Sequence, residues 1–146
     1  MKLTITAVVP APRERVFAAL VDPAILQRCI PGCESLVETA PDTYQAALRV
    51  GVAGLKGAYT GTATIRDRQP PGALTIAVDG KGAPGFVRGT AAIALTGEEN
   101  ATRVACDADV AVGGLIAAVG SRLVDAAAKK LADDFFRALS AVVRST

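Results

Sequence analysis

The chain has 146 residues, 51% apolar and 21% charged, with 16 Lys plus Arg against 14 Asp plus Glu and no histidine. That length predicts one domain over residues 1–146, burying roughly two-thirds of its unfolded surface around a core of Ala, Val, Leu and Ile. The missing histidine excludes a Ser-His-Asp triad, a histidine base, a Cys-His pair and most catalytic zinc sites, and the scattered net charge of +2 gives no basic stripe for nucleic acid.

No segment approaches the ~18 consecutive apolar residues of a membrane helix. The N-terminus runs from Met1-Lys2 into Pro10, Pro12 and Arg13 without a sustained apolar core, so no secretory signal is expected and the predicted location is cytoplasmic. Three cysteines, Cys29, Cys33 and Cys106, fit reduced thiols in that compartment.

Residues 2–9 alternate, with Leu3, Ile5, Ala7 and Val9 on one side, and predict a half-buried strand that Pro10 and Pro12 close. From Arg13 the spacing changes to Val16, Phe17 and Leu20, a short helix. Asp22-Pro23 then supplies an N-cap and first-turn proline for a second one. Pro31-Gly32 stops that helix near Cys29.

Six strands are predicted next, over residues 33–38, 44–52, 58–67, 73–79, 87–96 and 102–112, each bounded by Gly, Pro, Asn or Asp. Short connections make them antiparallel, and their apolar face needs a cover. Ile116, Val119, Leu123, Ala127, Leu131, Phe135, Ala138 and Val142 recur at helical steps. They predict one long amphipathic helix that supplies the cover.

Gly80-Lys81-Gly82-Ala83-Pro84-Gly85 matches the dinucleotide pattern G-x-G-x-x-G, which requires a helix to begin at the third glycine. The segment that follows alternates as a strand, so the glycines read as a flexible hairpin loop. Cys29 and Cys33 lack further soft ligands and read as small apolar residues, and Cys106 as core. Glu98-Glu99, Asp107, Asp109 and Asp133 read as solvated charge, with Asp134 bordering the buried face. Tyr59 falls on the apolar face of its strand, where its hydroxyl bonds either backbone or a ligand. Gly61, Ala63, Gly89, Ala91 and Ala108 bring little side chain inward, leaving room for close helix packing or for an apolar guest.

This order of elements resembles the helix-grip fold of the START/Bet v 1-like superfamily. The motifs Asp22-Pro23, Cys29-Ile30-Pro31-Gly32-Cys33-Glu34, Gly57 to Gly61, Gly85-Phe86, Gly120-Ser121-Arg122-Leu123 and Phe135-Phe136 resemble the CoxG family of carbon monoxide dehydrogenase subunits. The resemblance implies an α+β fold: a seven-stranded antiparallel curved sheet around a long C-terminal helix, with two short helices after the first strand. It also implies an apolar cavity between helix and sheet and a non-enzymatic accessory role beside molybdenum-containing carbon monoxide dehydrogenase or a related hydroxylase. A link to the membrane follows, through a carried quinone or lipid-like molecule. Some relatives have a C-terminal extension that reaches the membrane; here the sequence ends at Thr146, leaving cavity binding and transient contact with the inner membrane face as the expected roles.

The leading expectation is therefore a binding protein that holds a lipophilic molecule through Phe17, Tyr59, Phe86, Val119, Leu123 and Phe135, with Tyr59 the polar anchor and no metal or covalent cofactor. A second reading is a docking or recruitment subunit with an incidental cavity. A third is a cyclase-like enzyme of the same fold, for which only Tyr59 and Asp134 offer interior titratable groups.

Overall fold

The computed structural model describes residues 1–144; Ser145 and Thr146, the end of the expected 1–146 domain, lie outside the described residues. In chain order the elements are β1 (Lys2–Val9), α1 (Arg13–Leu20), α2 (Pro23–Cys29), β2 (Cys33–Ala40), β3 (Thr43–Val50), β4 (Gly57–Gln69), β5 (Ala73–Gly82), β6 (Gly85–Glu98), β7 (Ala101–Gly113), α3 (Leu115–Ala118) and α4 (Ser121–Arg144). The seven strands form one antiparallel sheet in the order β1-β7-β6-β5-β4-β3-β2. Consecutive strands pair as hairpins from β2 to β7, and β1 closes onto β7 across the length of the chain.

The two short helices follow their local signals. Pro12 stands at the N-cap of α1 without a side-chain cap, whereas the Asp22 carboxylate accepts from the Ala24 and Ile25 amides at the start of α2. The turn after α2 depends on Gly32, whose φ is +75° and whose missing Cβ would collide with the Arg49 carbonyl of β3. An L side chain there meets both a disfavoured backbone conformation and a backbone clash. The Pro31-Gly32 turn thus lets α2 lie along β2.

The periodicity that predicts one C-terminal helix runs through a break. Gly120 has a φ of +94° and separates α3 from the 24-residue α4. The apolar spacing survives because Ile116, on the short first piece, is still buried while Ser121 restarts the helix. The glycine-rich G-x-G-x-x-G segment is also more ordered than a flexible loop: Gly80 and Gly82 lie on β5, Gly85 opens β6, and Ala83-Pro84 alone make the turn.

The core sits under the C-terminal half of α4. Leu139 and Val143 pack with Val16, Phe17 and Leu20 of α1, with Val9, and with Ile93, Leu95 and Val104 of the sheet; Phe135, Phe136 and Val142 border them. Thr102 is fully buried there, and its hydroxyl donates to the Ala11 carbonyl at 2.7 Å, which satisfies a group whose isolation would be costly.

Two stability outcomes follow. Leu139→Ala removes a fully buried side chain and should lower unfolding free energy by about 2–5 kcal/mol; Gly32→Ala should lower it by at least about 1 kcal/mol through backbone strain. Urea unfolding followed by circular dichroism measures both, and Leu115→Ala, at an exposed residue, should change little.

Candidate functional site

An apolar cavity of about 510 Å³ lies between the sheet and the N-terminal half of α4. Its floor is the inward row of the strands: Leu3 on β1, Leu48 and Val50 on β3, Tyr59 on β4, Val78 and Gly80 on β5, Val87 on β6, and Val110 and Val112 on β7. Its roof is Val124, Ala128 and Leu131 of α4, and Leu55 of the β3–β4 loop forms one wall. Val78 is 37% exposed, so the space communicates with solvent. Its volume lies within the range of about 300–1,000 Å³ usual for small-molecule sites.

The cavity exists because the two halves of α4 present different side chains. The C-terminal half carries Phe135, Phe136 and Leu139, which reach the core with α1. The N-terminal half turns Val124, Ala128 and Leu131 to the sheet, and these are too short to fill the span between helix and strands. Hydrophobic floor and roof are thus held apart by packing elsewhere.

Tyr59 is the one lining residue with a polar side chain. Its hydroxyl donates to the Leu55 carbonyl at 2.6 Å, and burial pushes its ionisation above the usual tyrosine value. Donor and ring therefore have separate tasks: the hydrogen bond pins the β3–β4 loop, while the aromatic face borders the cavity. Both alternatives that the sequence left open for this residue meet in one side chain.

The other five predicted site residues lie elsewhere. Phe17 belongs to the core cluster and Phe135 packs against it, its ring edge-on to Phe136 at 5.1 Å between centroids. Both plug the filled end of the molecule. Because Val87 faces the cavity, alternation puts Phe86 on the opposite face, where the Arg88 guanidinium lies 5.1 Å from its ring centroid. Val119 and Leu123 are each 42% exposed at the α3–α4 junction, and Leu123 lies over Gly54 of the β3–β4 loop. Leu131 and Val110 carried the signal for the actual lining, since both stood in the apolar periodicity of their elements.

The inward small residues also divide. Gly80 borders the cavity, whereas a Cβ on Gly61 would strike the Asp79 carbonyl and one on Gly89 the Asp109 carbonyl. Those two glycines allow neighbouring strands to approach closely rather than opening space. The carboxylates are engaged on the surface: Asp134 accepts from Lys130 at 2.8 and 2.9 Å, Asp133 pairs with Arg137 and Asp79 with Arg88. All three cysteines are free. Cys29 is buried, Cys33 donates its thiol to the Ser35 carbonyl at 3.4 Å, and Cys106 borders the core. Burial raises the pKa of each, against the lowering effect of Arg28 at Cys29 and of the Ser35 hydrogen bond at Cys33, and Asp107 adds to the rise at Cys106. These thiols are poor nucleophiles.

Among the described residues no helix is long and apolar enough to cross a membrane. No curated protein matches the chain. The chain is similar to a conserved protein of Geobacillus kaustophilus of known structure: 34% identity over 99% of this chain and 96% of the other, with a TM-score of 0.96. At the level of fold it is similar to a START superfamily protein of Mycobacterium smegmatis, 14% identical over 99% of this chain and 97% of that one, TM-score 0.78. Ara h 8.0201 is likewise similar in fold, at 14% identity over 100% and 99% of the two chains, TM-score 0.70. These neighbours carry the α+β helix-grip architecture expected from the order of elements. The family model for CoxG, the G-type subunit of carbon monoxide dehydrogenase, matches residues 6–144. The chain belongs to the CoxG family of carbon monoxide dehydrogenase subunits and has the START/Bet v 1-like fold.

Proposed function

We propose that this protein is a non-enzymatic accessory protein that holds a neutral lipophilic molecule, quinone- or lipid-like, in the cavity under the N-terminal half of α4. The carrying observation is the lining itself: twelve of its thirteen residues are aliphatic side chains or glycine, and the hydroxyl of the thirteenth, Tyr59, already donates to Leu55. A buried charge or unmatched donor on the guest would lose its hydration without a partner. Contact with apolar groups, in contrast, is worth about 0.8 kcal/mol per buried CH₂. Tyr59 stays in the proposed site, joined by Leu48, Val78, Val112, Val124 and Leu131.

Membership of the CoxG family supports work beside a carbon monoxide dehydrogenase or related molybdenum hydroxylase. A general acid–base pair is not what this lining offers, so a cyclase-like reaction is disfavoured. Leu115, Val119 and Leu123, exposed at the α3–α4 junction, favour the second reading as a companion to the first: a contact surface near the cavity for transient meeting with a membrane or partner enzyme, on the cytoplasmic side.

Binding of n-alkanols of increasing length, followed by calorimetry and native mass spectrometry, tests the cavity. Affinity should rise about three- to fourfold per added CH₂ until the space is full. Gly80→Leu should weaken binding of the longest alkanol at least tenfold: a Cβ at this position meets nothing closer than 3.9 Å, so the fold tolerates the side chain that fills the cavity. Because burial moves Tyr59 further above the neutral range, affinity should be level from about pH 6 to about pH 9. No binding by any alkanol, or equal binding to Gly80→Leu, would contradict the proposal.

A further inference from the structure

The two outer strands of the sheet are protected very differently. β2 carries two register shifts against β3, between Cys33 and Ser35 and between Glu38 and Ala40. It also carries charges at Glu34 and Glu38, and the Gln27 side chain of α2 donates to its Glu34 carbonyl at 3.2 Å. Bulges, charges and cover are the usual guards of a sheet edge. β1 has none of them from Thr4 to Val8: its register with β7 is unbroken from Lys2 to Val9.

The orientation of the β1 backbone follows from one pair. Met1 and Val110 exchange both hydrogen bonds, N–H to carbonyl in each direction at 2.8 Å. In an antiparallel ladder such pairs recur every second residue, so Leu3, Ile5, Ala7 and Val9 bond to β7. The N–H and C=O groups of Thr4, Thr6 and Val8 therefore point to the open edge, and among the described residues no turn, loop or side-chain hydrogen bond reaches them. Two adjoining clefts, of about 320 and 500 Å³, run beside this strand. Consecutive residues from Thr4 to Val8 line them, as happens where a cleft follows a strand's backbone edge. Their opposite wall is α4, where Lys129, Arg137 and Arg144 outnumber Asp133.

We propose that the β1 edge and the adjoining face of α4 form a docking site for an extended, acidic segment of a partner protein, which adds to the sheet as an eighth strand. A row of alternating amides and carbonyls is complementary to another extended backbone, and the excess of cations on α4 selects acidic side chains. A second copy of this chain fits poorly. Lys129 lines the cleft at the Thr4 end and Arg144 the one at the Val8 end, so a two-fold pairing of β1 with itself brings Lys129 against the other copy's Arg137 and Arg144.

The test uses the whole chain and two fluorescein-labelled heptapeptides, TVEVDVT and its basic counterpart TVKVKVT. The acidic peptide should bind at least tenfold more tightly by anisotropy and slow amide exchange at Thr4, Thr6 and Val8. Thr6→Pro removes an outward N–H without losing a bond to β7 and should abolish peptide binding while leaving n-decanol binding in the cavity unchanged. Arg137→Glu with Arg144→Glu, which leaves the β1 backbone untouched, should remove the preference for the acidic peptide. Equal affinity for both peptides, binding by neither, protection appearing on β2 instead, or β1-mediated self-association in sedimentation would each overturn the proposal. Failure of the unmodified protein to bind n-decanol would count against the cavity and not against this edge.

Discussion

The packing of the C-terminal half of α4 against α1 and the sheet is the contact on which the remaining architecture rests. Leu139 and Val143 are fully buried there with Val9, Val16 and Val104, and they hold one end of the helix at close range. A helix of 24 residues extends about 36 Å and is stiff over that length. Fixing one half therefore fixes the height of the other above the curved sheet. Where aromatic and leucine side chains fill the gap the molecule is solid; where Val124, Ala128 and Leu131 face a floor of valines, the gap remains as the cavity.

This division explains why the aromatics do not belong to the cavity. A chain with four Phe, two Tyr and no Trp has few large side chains to distribute, and Phe17 and Phe135 serve the filled end. Tyr59 is the exception because its hydroxyl can leave the apolar space and bond the Leu55 carbonyl. That bond ties the β3–β4 loop to the strand it precedes and gives the cavity a fixed wall. The site is consequently apolar without exposing an unsatisfied polar atom: no buried side-chain nitrogen or oxygen lacks a partner among the described residues.

The fold was largely legible in the sequence because its signals are local. Alternation along residues 2–9 and 102–112, the Asp22-Pro23 cap and the Pro31-Gly32 stop each act within a few residues, and each element appears close to its expected place. Two local features misled. The apolar stripe continued across Gly120, whose positive φ interrupts the helix while Ile116 keeps its inward position. The glycines of Gly80 to Gly85 suggested a loop, but Gly80 and Gly82 lie on β5, where strand pairing tolerates them.

The site was less legible because it depends on distances between elements rather than on patterns within them. Periodicity places Val110 and Leu131 on inward faces but cannot say which inward residues touch and which stand apart. The cavity follows from the difference between Phe135 and Ala128 as spacers, a property of the assembled helix and sheet. A crystal structure with 1-bromodecane, located by the anomalous signal of bromine, tests this account most directly. The account predicts bromine density between Val124 and Leu131 of α4 and the Val78 and Val112 positions of the sheet, with α4 unmoved; density only outside this space, or an α4 settled onto the sheet with no room for a guest, would contradict it.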